Sequence, residues 1–201
     1  MLRKFVLLFT TAVCAFAMHS VELNVNERDV ELQLQFDMGQ FNDDLMTDAV
    51  LLGAHMLYGG EEHSDIDPDV MFGMSFLMQR TLDFTDDALT LGMGLKLDYT
   101  SLDVAGSGKN DFLVLPIGIE ADYCFPFDIP IPLHVGGMFY YAPHVLSFQE
   151  AENYMEYRGY FDIEIIQGGR IRLGYRKVDT DIIYRDLNYN ESFYFGFKMA
   201  F

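Results

Sequence analysis

Apolar and polar residues alternate with period two along most of the chain. The clearest case is 191–201, where Phe193, Phe195, Phe197, Met199 and Phe201 interleave with Ser192, Tyr194, Gly196, Lys198 and Ala200. Period two is the mark of an extended strand with one face apolar. Ten such segments follow one another, at 21–26, 30–38, 48–58, 70–80, 89–99, 112–123, 133–141, 154–166, 170–179 and 191–201, separated by turn-rich stretches. The pattern predicts an all-β, antiparallel fold.

Alternation alone does not say which face meets solvent, so the ends of the chain and the placement of charge carry the next step. Residues 1–17 have the form of a signal peptide: Arg3 and Lys4, then an apolar run, then Ala15-Phe16-Ala17 as a small-x-small cleavage site. Val13 before Cys14 is larger than a lipidation site carries, which argues against a lipid anchor. An aromatic row running to a C-terminal Phe resembles the closing strand of bacterial outer-membrane barrels, where it acts as the assembly signal. Beyond residue 18 the longest apolar run, 112–119, is broken by Pro116 and Gly118, far short of the ~20 residues of a spanning helix. Half of the residues are hydrophobic, and a closed sheet with its apolar face turned to lipid accommodates them.

The strand lengths fit that solution: 89–99 has the roughly 9 to 11 residues a tilted strand needs to cross a bilayer. The expectation is a transmembrane β-barrel of about ten strands, with eight as the alternative. Either even number returns both termini to the periplasm. The periplasmic links are then 39–47, 81–88, 124–132 and 167–169, and the outer loops include 59–69, 100–111, 142–153 and 180–190. A soluble lipocalin-like barrel is the competing architecture.

Charge favours the membrane form. Lys96, Asp98, Glu120, Glu156, Arg158, Asp162, Glu164, Arg170, Arg172 and Arg176 all fall opposite the apolar row. On the lipid face near the midplane an Arg or Lys would cost about 2 to 4 kcal/mol. Lys177 is the exception, placed near a strand end where its stem can snorkel. Tyr58, Tyr99, Tyr123, Tyr141 and Tyr175 supply interfacial aromatics in a chain without Trp.

Residues 140–177 (YYAPHVLSFQEAENYMEYRGYFDIEIIQGGRIRLGYRK) resemble the YfaZ family of proteobacterial outer-membrane proteins, most specifically in YYAP-x-VLSF and the EYR and GYR strands that follow. The resemblance implies a small outer-membrane barrel. It carries over no catalytic residue.

The densest candidate chemistry is a charge network in the lumen: Glu156, Arg158, Asp162, Glu164, Arg170, Arg172 and Arg176. A three-residue loop at 167–169 would set Arg172 opposite Glu164. Such a network either plugs a narrow barrel or forms a selective constriction, and plugging fits a barrel of this size. Glycines at 92, 94, 136, 174 and 196 are positions where water would enter. In the acidic stretch 59–69, Glu61, Glu62, Asp65, Asp67 and Asp69 offer weak divalent-cation binding, without the spacing of an EF-hand. His55, His63, His134 and His144, and a Cys124/His134 pair across a turn, lack the surroundings of a catalytic group, and no enzyme activity is expected. The loop 142–153 is expected to fold over the mouth, with Ser147 capping a helical turn at 149–152.

Composition narrows the partners. Loss of Arg3 and Lys4 takes the net charge from −18 to −20, which excludes nucleic acid. Cys124 is the only cysteine after residue 18, so no internal disulfide forms and no cofactor is implied. The expected partners are outer-membrane lipid, surface glycolipid and, through the strand ending at Phe201, the barrel-assembly machinery. The expected role is a structural or narrowly permeable outer-membrane barrel. A small selective channel and an outer-loop binding module are the alternatives.

Overall fold

In the computed structural model the described residues are 19–38, 48–59, 66–67, 70–104, 108–127, 131–149, 151–182 and 185–201. The signal segment and most of the acidic stretch 59–69, with its cation proposal, lie outside them. The strands are β1 (His19–Val25), β2 (Val30–Asp37), β3 (Ala49–Tyr58), β4 (Ile66–Asp67), β5 (Val70–Thr81), β6 (Leu89–Val104), β7 (Gly108–Val114), β8 (Ile117–Cys124), β9 (Leu133–Ala142), β10 (Ser147–Gln149), β11 (Ala151–Ile166), β12 (Gly169–Ile182) and β13 (Arg185–Ala200).

The main ladder runs β1-β2-β3-β5-β6-β8-β9-β11-β12-β13 and closes when β13 pairs with β1. Every neighbouring pair is antiparallel. The result is a closed ten-strand barrel, with both described ends at one rim: Ser20 pairs with Ala200. That rim is called the terminal end below. Closure leaves no long edge with unpaired backbone groups.

All ten predicted segments are strands, but the far end is built differently from the expected loops. Within 100–111 and 180–190 the described residues are ladder: β6 and β7 pair from Asp98 with Val114 to Val104 with Gly108, and β12 and β13 pair to Ile182 with Arg185. The 112–123 segment breaks at Leu115-Pro116. Pro116 has no N–H to give the ladder, and its carbonyl accepts instead from Lys96 N at 2.9 Å. Both halves stay paired to β6, but the other neighbour changes across the break: β8 has β9, and β7 has β10, pairing Phe112 with Gln149 and Val114 with Ser147. In place of the helical turn expected at 149–152, residues 149, 151 and 152 are strand; a 3-10 turn falls earlier, at His144–Leu146. Ser147 closes that turn from its C-terminal side, its N–H donating to His144 O and its hydroxyl to Pro143 O at 3.2 Å.

The two turns with the clearest sequence cause stand at opposite ends. Between β1 and β2, Asn26 Oδ1 accepts from the N–H groups of Arg28 and Asp29, both at 2.7 Å, the self-closing habit of Asn in turns. Between β11 and β12, Gly168 takes φ of +76°, open to glycine at little steric cost.

Seen from outside, the barrel is apolar. Leu52, Phe72, Met74, Phe76, Met78, Leu91, Met93, Leu95, Leu97, Ile119, Phe139, Leu173, Phe195 and Phe197 are all exposed, and Tyr58, Tyr99 and Tyr141 are exposed with them. A continuous surface of this kind is suited to hydrocarbon, not water. It is the reverse of a lipocalin, which keeps its apolar face inside. Lys177 does face outward, within 3.4 Å of Asp179 and 3.5 Å of Glu191, beside the ring cluster of Tyr157, Tyr175 and Phe193.

Candidate functional site

The inward residues are the even-numbered ones of β1, β6, β8, β9, β11 and β12, those of β13 from Asn190 on, and the odd-numbered ones of β2, β3 and β5, and they stack in three layers. At the far end is an apolar cluster of Leu57, Met71, Phe112, Val114, Ala142, Ala151, Tyr154, Val178 and Tyr189, all buried, with Leu146 packed against it. Phe112 and Tyr154 touch ring to ring at 5.9 Å. Leu146, from the loop expected to cover the mouth, thus contributes to the plug.

The middle layer is a belt of buried ion pairs. Lys96 Nζ donates to Glu156 at 2.7 Å and lies 4.2 Å from the centre of the Tyr140 ring. Glu156 also accepts from Arg158 Nε at 2.8 Å, and Arg158 sends both terminal nitrogens to Glu31, at 2.7 and 2.5 Å. Arg176 donates to the same Glu31 at 2.7 Å and to Asp29 at 2.8 Å. Asn190 bridges Arg176 and Asp29. Asn24 links Glu31 to Glu22, which accepts from Arg172 at 2.7 Å. Arg172 in turn grips Asp162 with two hydrogen bonds of 2.8 Å. Glu31 and Arg176 are both 0% exposed. Charges so deep are tolerable only when paired and fully hydrogen-bonded, as these are.

All seven predicted lumen residues face inward, but one pairing differs. Glu164 lies opposite Arg170, and Arg172 opposite Asp162. The connection is one residue tighter than a three-residue loop, with Ile166 paired to Gly169, and a bulge between Glu164 and Ile166 shifts the register by one more, so the pairing moves by two in all and the faces are kept. Glu164 and Arg170 are correspondingly loose, 3.5 Å apart. Nor do glycines leave water-filled gaps at 136 and 174. Tyr160 and Tyr194 lie over Gly136 and Gly174, their cross-strand partners, and Tyr140 covers Gly118 in the same way.

Sequence reasoning missed the carboxylates of the first hairpin, Glu22, Asp29 and Glu31. Glu31 alternates correctly with Val30 and Leu32; the available signal was an excess of inward arginines on β11 and β12 that called for acids across the lumen. Cys124 and His134 do sit opposite each other, but the imidazole turns to Asp122, 3.0 Å away. His55 stands 3.0 Å from Asp98 inside the barrel.

The third layer is space. A cavity of about 750 Å³ occupies the terminal half, lined by Ser20, Gln33, Gln35, Gln79, Arg170 and Lys198 among others, with Gln167, Gly168 and Phe201 at its rim. The lumen is therefore a cup, open at the terminal end and filled beyond its middle.

A closed antiparallel ring with an apolar exterior and a charged interior defines a β-barrel of the outer-membrane type. A family model described as YfaZ precursor matches residues 7–201. The chain belongs to the YfaZ family. Among solved structures it is similar to the beta domain of the Bordetella autotransporter BrkA, at 11% identity and a TM-score of 0.37, covering 92% of this chain and 97% of that one. No curated protein matches the chain.

Proposed function

We propose that this protein is a non-conducting structural barrel of the bacterial outer membrane, with the terminal end and its cup facing the periplasm. One observation carries the reading: the lumen is crossed by a connected belt of buried ion pairs, backed by an apolar plug. An ion crossing it would have to break pairs that are worth several kcal/mol only while intact, and then pass a layer without polar partners. The exposed apolar exterior supports a lipid contact, and the aromatic β13 ending near Phe201 supports recognition by the barrel-assembly machinery.

The test is single-channel recording on refolded mature protein in a planar bilayer, after a heat-modifiable gel shift has verified the folded barrel. A silent bilayer is expected. Reproducible conductance steps whose selectivity changes when Arg158 and Arg172 are neutralised would refute the reading in favour of a selective channel.

A further inference from the structure

The structural role leaves the cup unexplained. Its volume, about 750 Å³, lies within the roughly 300 to 1,000 Å³ typical of small-molecule sites. Most of its charged groups are committed elsewhere: Glu22 to Arg172 and Asn24, Glu120 to the Tyr140 hydroxyl, Asp122 to His134 and Tyr160. Lys198 is different. It lines the cavity and has no hydrogen bond or ion pair among the described residues.

Its neighbours deepen the anomaly. Lys198 lies directly opposite Arg170 on the inward face of the β12–β13 pair. Like charges at such positions repel, and Arg170 is only weakly compensated, 3.5 Å from Glu164 and 3.8 Å from Asp122. On the other side stands Glu22, whose Oε1 is already taken by Arg172 and Asn24. Glu22, Glu120 and Asp122 attract Lys198 across the cup, but none is within ion-pairing distance of it among the described residues, so two adjacent cations at the mouth leave a place for an anion. The opposite wall is rich in hydrogen-bonding groups, Gln33, Gln35, Ser75, Gln79 and Thr90, and its two titratable residues have partners: Asp37 accepts from Val50 N at 3.2 Å and His55 stands 3.0 Å from Asp98. Ser75 and Gln79 make no side-chain hydrogen bond among the described residues. Amides and hydroxyls facing a pair of cations match a ligand with one acidic group and several hydroxyls.

We propose that the cup binds a small anionic carbohydrate, its acidic group held between Lys198 and Arg170 and its hydroxyls bonded by Gln33, Ser75 and Gln79. Entry is from the periplasmic end, and only that direction rests on the orientation proposed above.

Calorimetry on the refolded, detergent-solubilised mature barrel tests this, with digalacturonate as the acidic probe, maltose as its neutral counterpart and inorganic phosphate as the bare anion. Digalacturonate is expected to bind saturably at one site, with maltose and phosphate each at least tenfold weaker. Lys198→Gln is expected to weaken digalacturonate at least tenfold, Lys198→Arg to retain it, and Gln79→Leu to weaken it several-fold. Lys177→Gln, on the outer surface, should leave affinity unchanged. The proposal is overturned if digalacturonate shows no saturable binding, if maltose or phosphate binds as tightly, or if Lys177→Gln costs as much as Lys198→Gln. Unchanged affinity in a Lys198→Gln barrel with the normal gel shift also overturns it. Should that variant fail to fold, Arg170→Gln takes its place, with the same tenfold loss expected and unchanged affinity overturning the site. The readout is independent of conductance: a barrel that conducts and binds refutes the seal and keeps the site, and a silent barrel that does not bind does the reverse.

Discussion

The Arg172–Asp162 pair offers the sharpest test of the interior, because its existence depends on a bulge. Three substitutions suffice: Asp162→Asn, Arg172→Gln and Glu164→Gln, each alone and with Arg172→Gln combined in turn with the other two. Asp162 is 0% exposed and accepts two hydrogen bonds of 2.8 Å from one guanidinium. Hydrogen bonds to charged groups contribute about 1.5 to 3 kcal/mol each, and removing one partner of a buried pair costs about 3 to 5 kcal/mol. In Asp162→Asn the guanidinium keeps Glu22, and the amide oxygen still accepts one bond, so about 3 kcal/mol is expected. Arg172→Gln strands both Asp162 and Glu22, and about 5 kcal/mol is expected. The Asp162/Arg172 double variant should then fall short of additivity by about 2 kcal/mol, within the usual coupling of contacting residues. Glu164 makes no hydrogen bond or ion pair with Arg172 among the described residues, and that double should be additive to within about 0.5 kcal/mol. The assay is a urea titration of the refolded barrel in lipid vesicles, reading the folded fraction by gel shift at each concentration. Stronger coupling of Arg172 to Glu164 than to Asp162 would refute the register and the bulge.

Three further expectations follow from the same packing and use the same titration. A Cβ added to Gly174 would meet the Tyr194 ring at 2.3 Å, so Gly174→Ala should cost about 1 to 3 kcal/mol through overpacking, with part of the loss recovered by adding Tyr194→Ser. Gly168→Val forces a branched side chain into a left-handed turn and against the Ala200 carbonyl, 2.5 Å from the new Cβ; a loss of about 1 to 2 kcal/mol is expected, and an unchanged urea midpoint would refute the strained-turn assignment. Lys96→Met removes the 2.7 Å contact to Glu156 but leaves that carboxylate with Arg158, so the loss should sit near the lower end of the buried-pair range, about 3 kcal/mol.

Strand positions and faces were legible because a closed sheet with an apolar exterior and a charged interior imposes them. From Leu89 to Tyr99 every second residue must be apolar, and one slip would turn Lys96 or Asp98 onto the apolar exterior. Beyond the apolar band that constraint lapses, which is why 100–111, rich in Gly, Asn, Asp and Lys, reads as a loop although residues up to Val104 and from Gly108 continue as a paired ribbon. The pairing of Glu164 was illegible for another reason. Parity permits register shifts of two, and only the geometry of the Gln167-Gly168 turn and its bulge selects among them. The acidic half of the lumen belt was hidden by distance along the chain: nothing near Glu31 announces Arg158 or Arg176. The cup was unreadable too, since whether small and large inward residues leave a void depends on which strands face each other across the barrel.

That distance has a kinetic meaning. Glu31 and Arg158 are separated by 127 residues, Asp29 and Arg176 by 147, Glu22 and Arg172 by 150. The first hairpin thus emerges from synthesis long before the guanidinium groups that neutralise it, and loop closure of that length must precede any reward. A half-assembled sheet would carry stranded carboxylates at one edge and stranded arginines at the other. Such a sheet gains little until its two edges meet, so the barrel should form in one late, cooperative step, with the ion pairs acting as a check that the first strand has found the last.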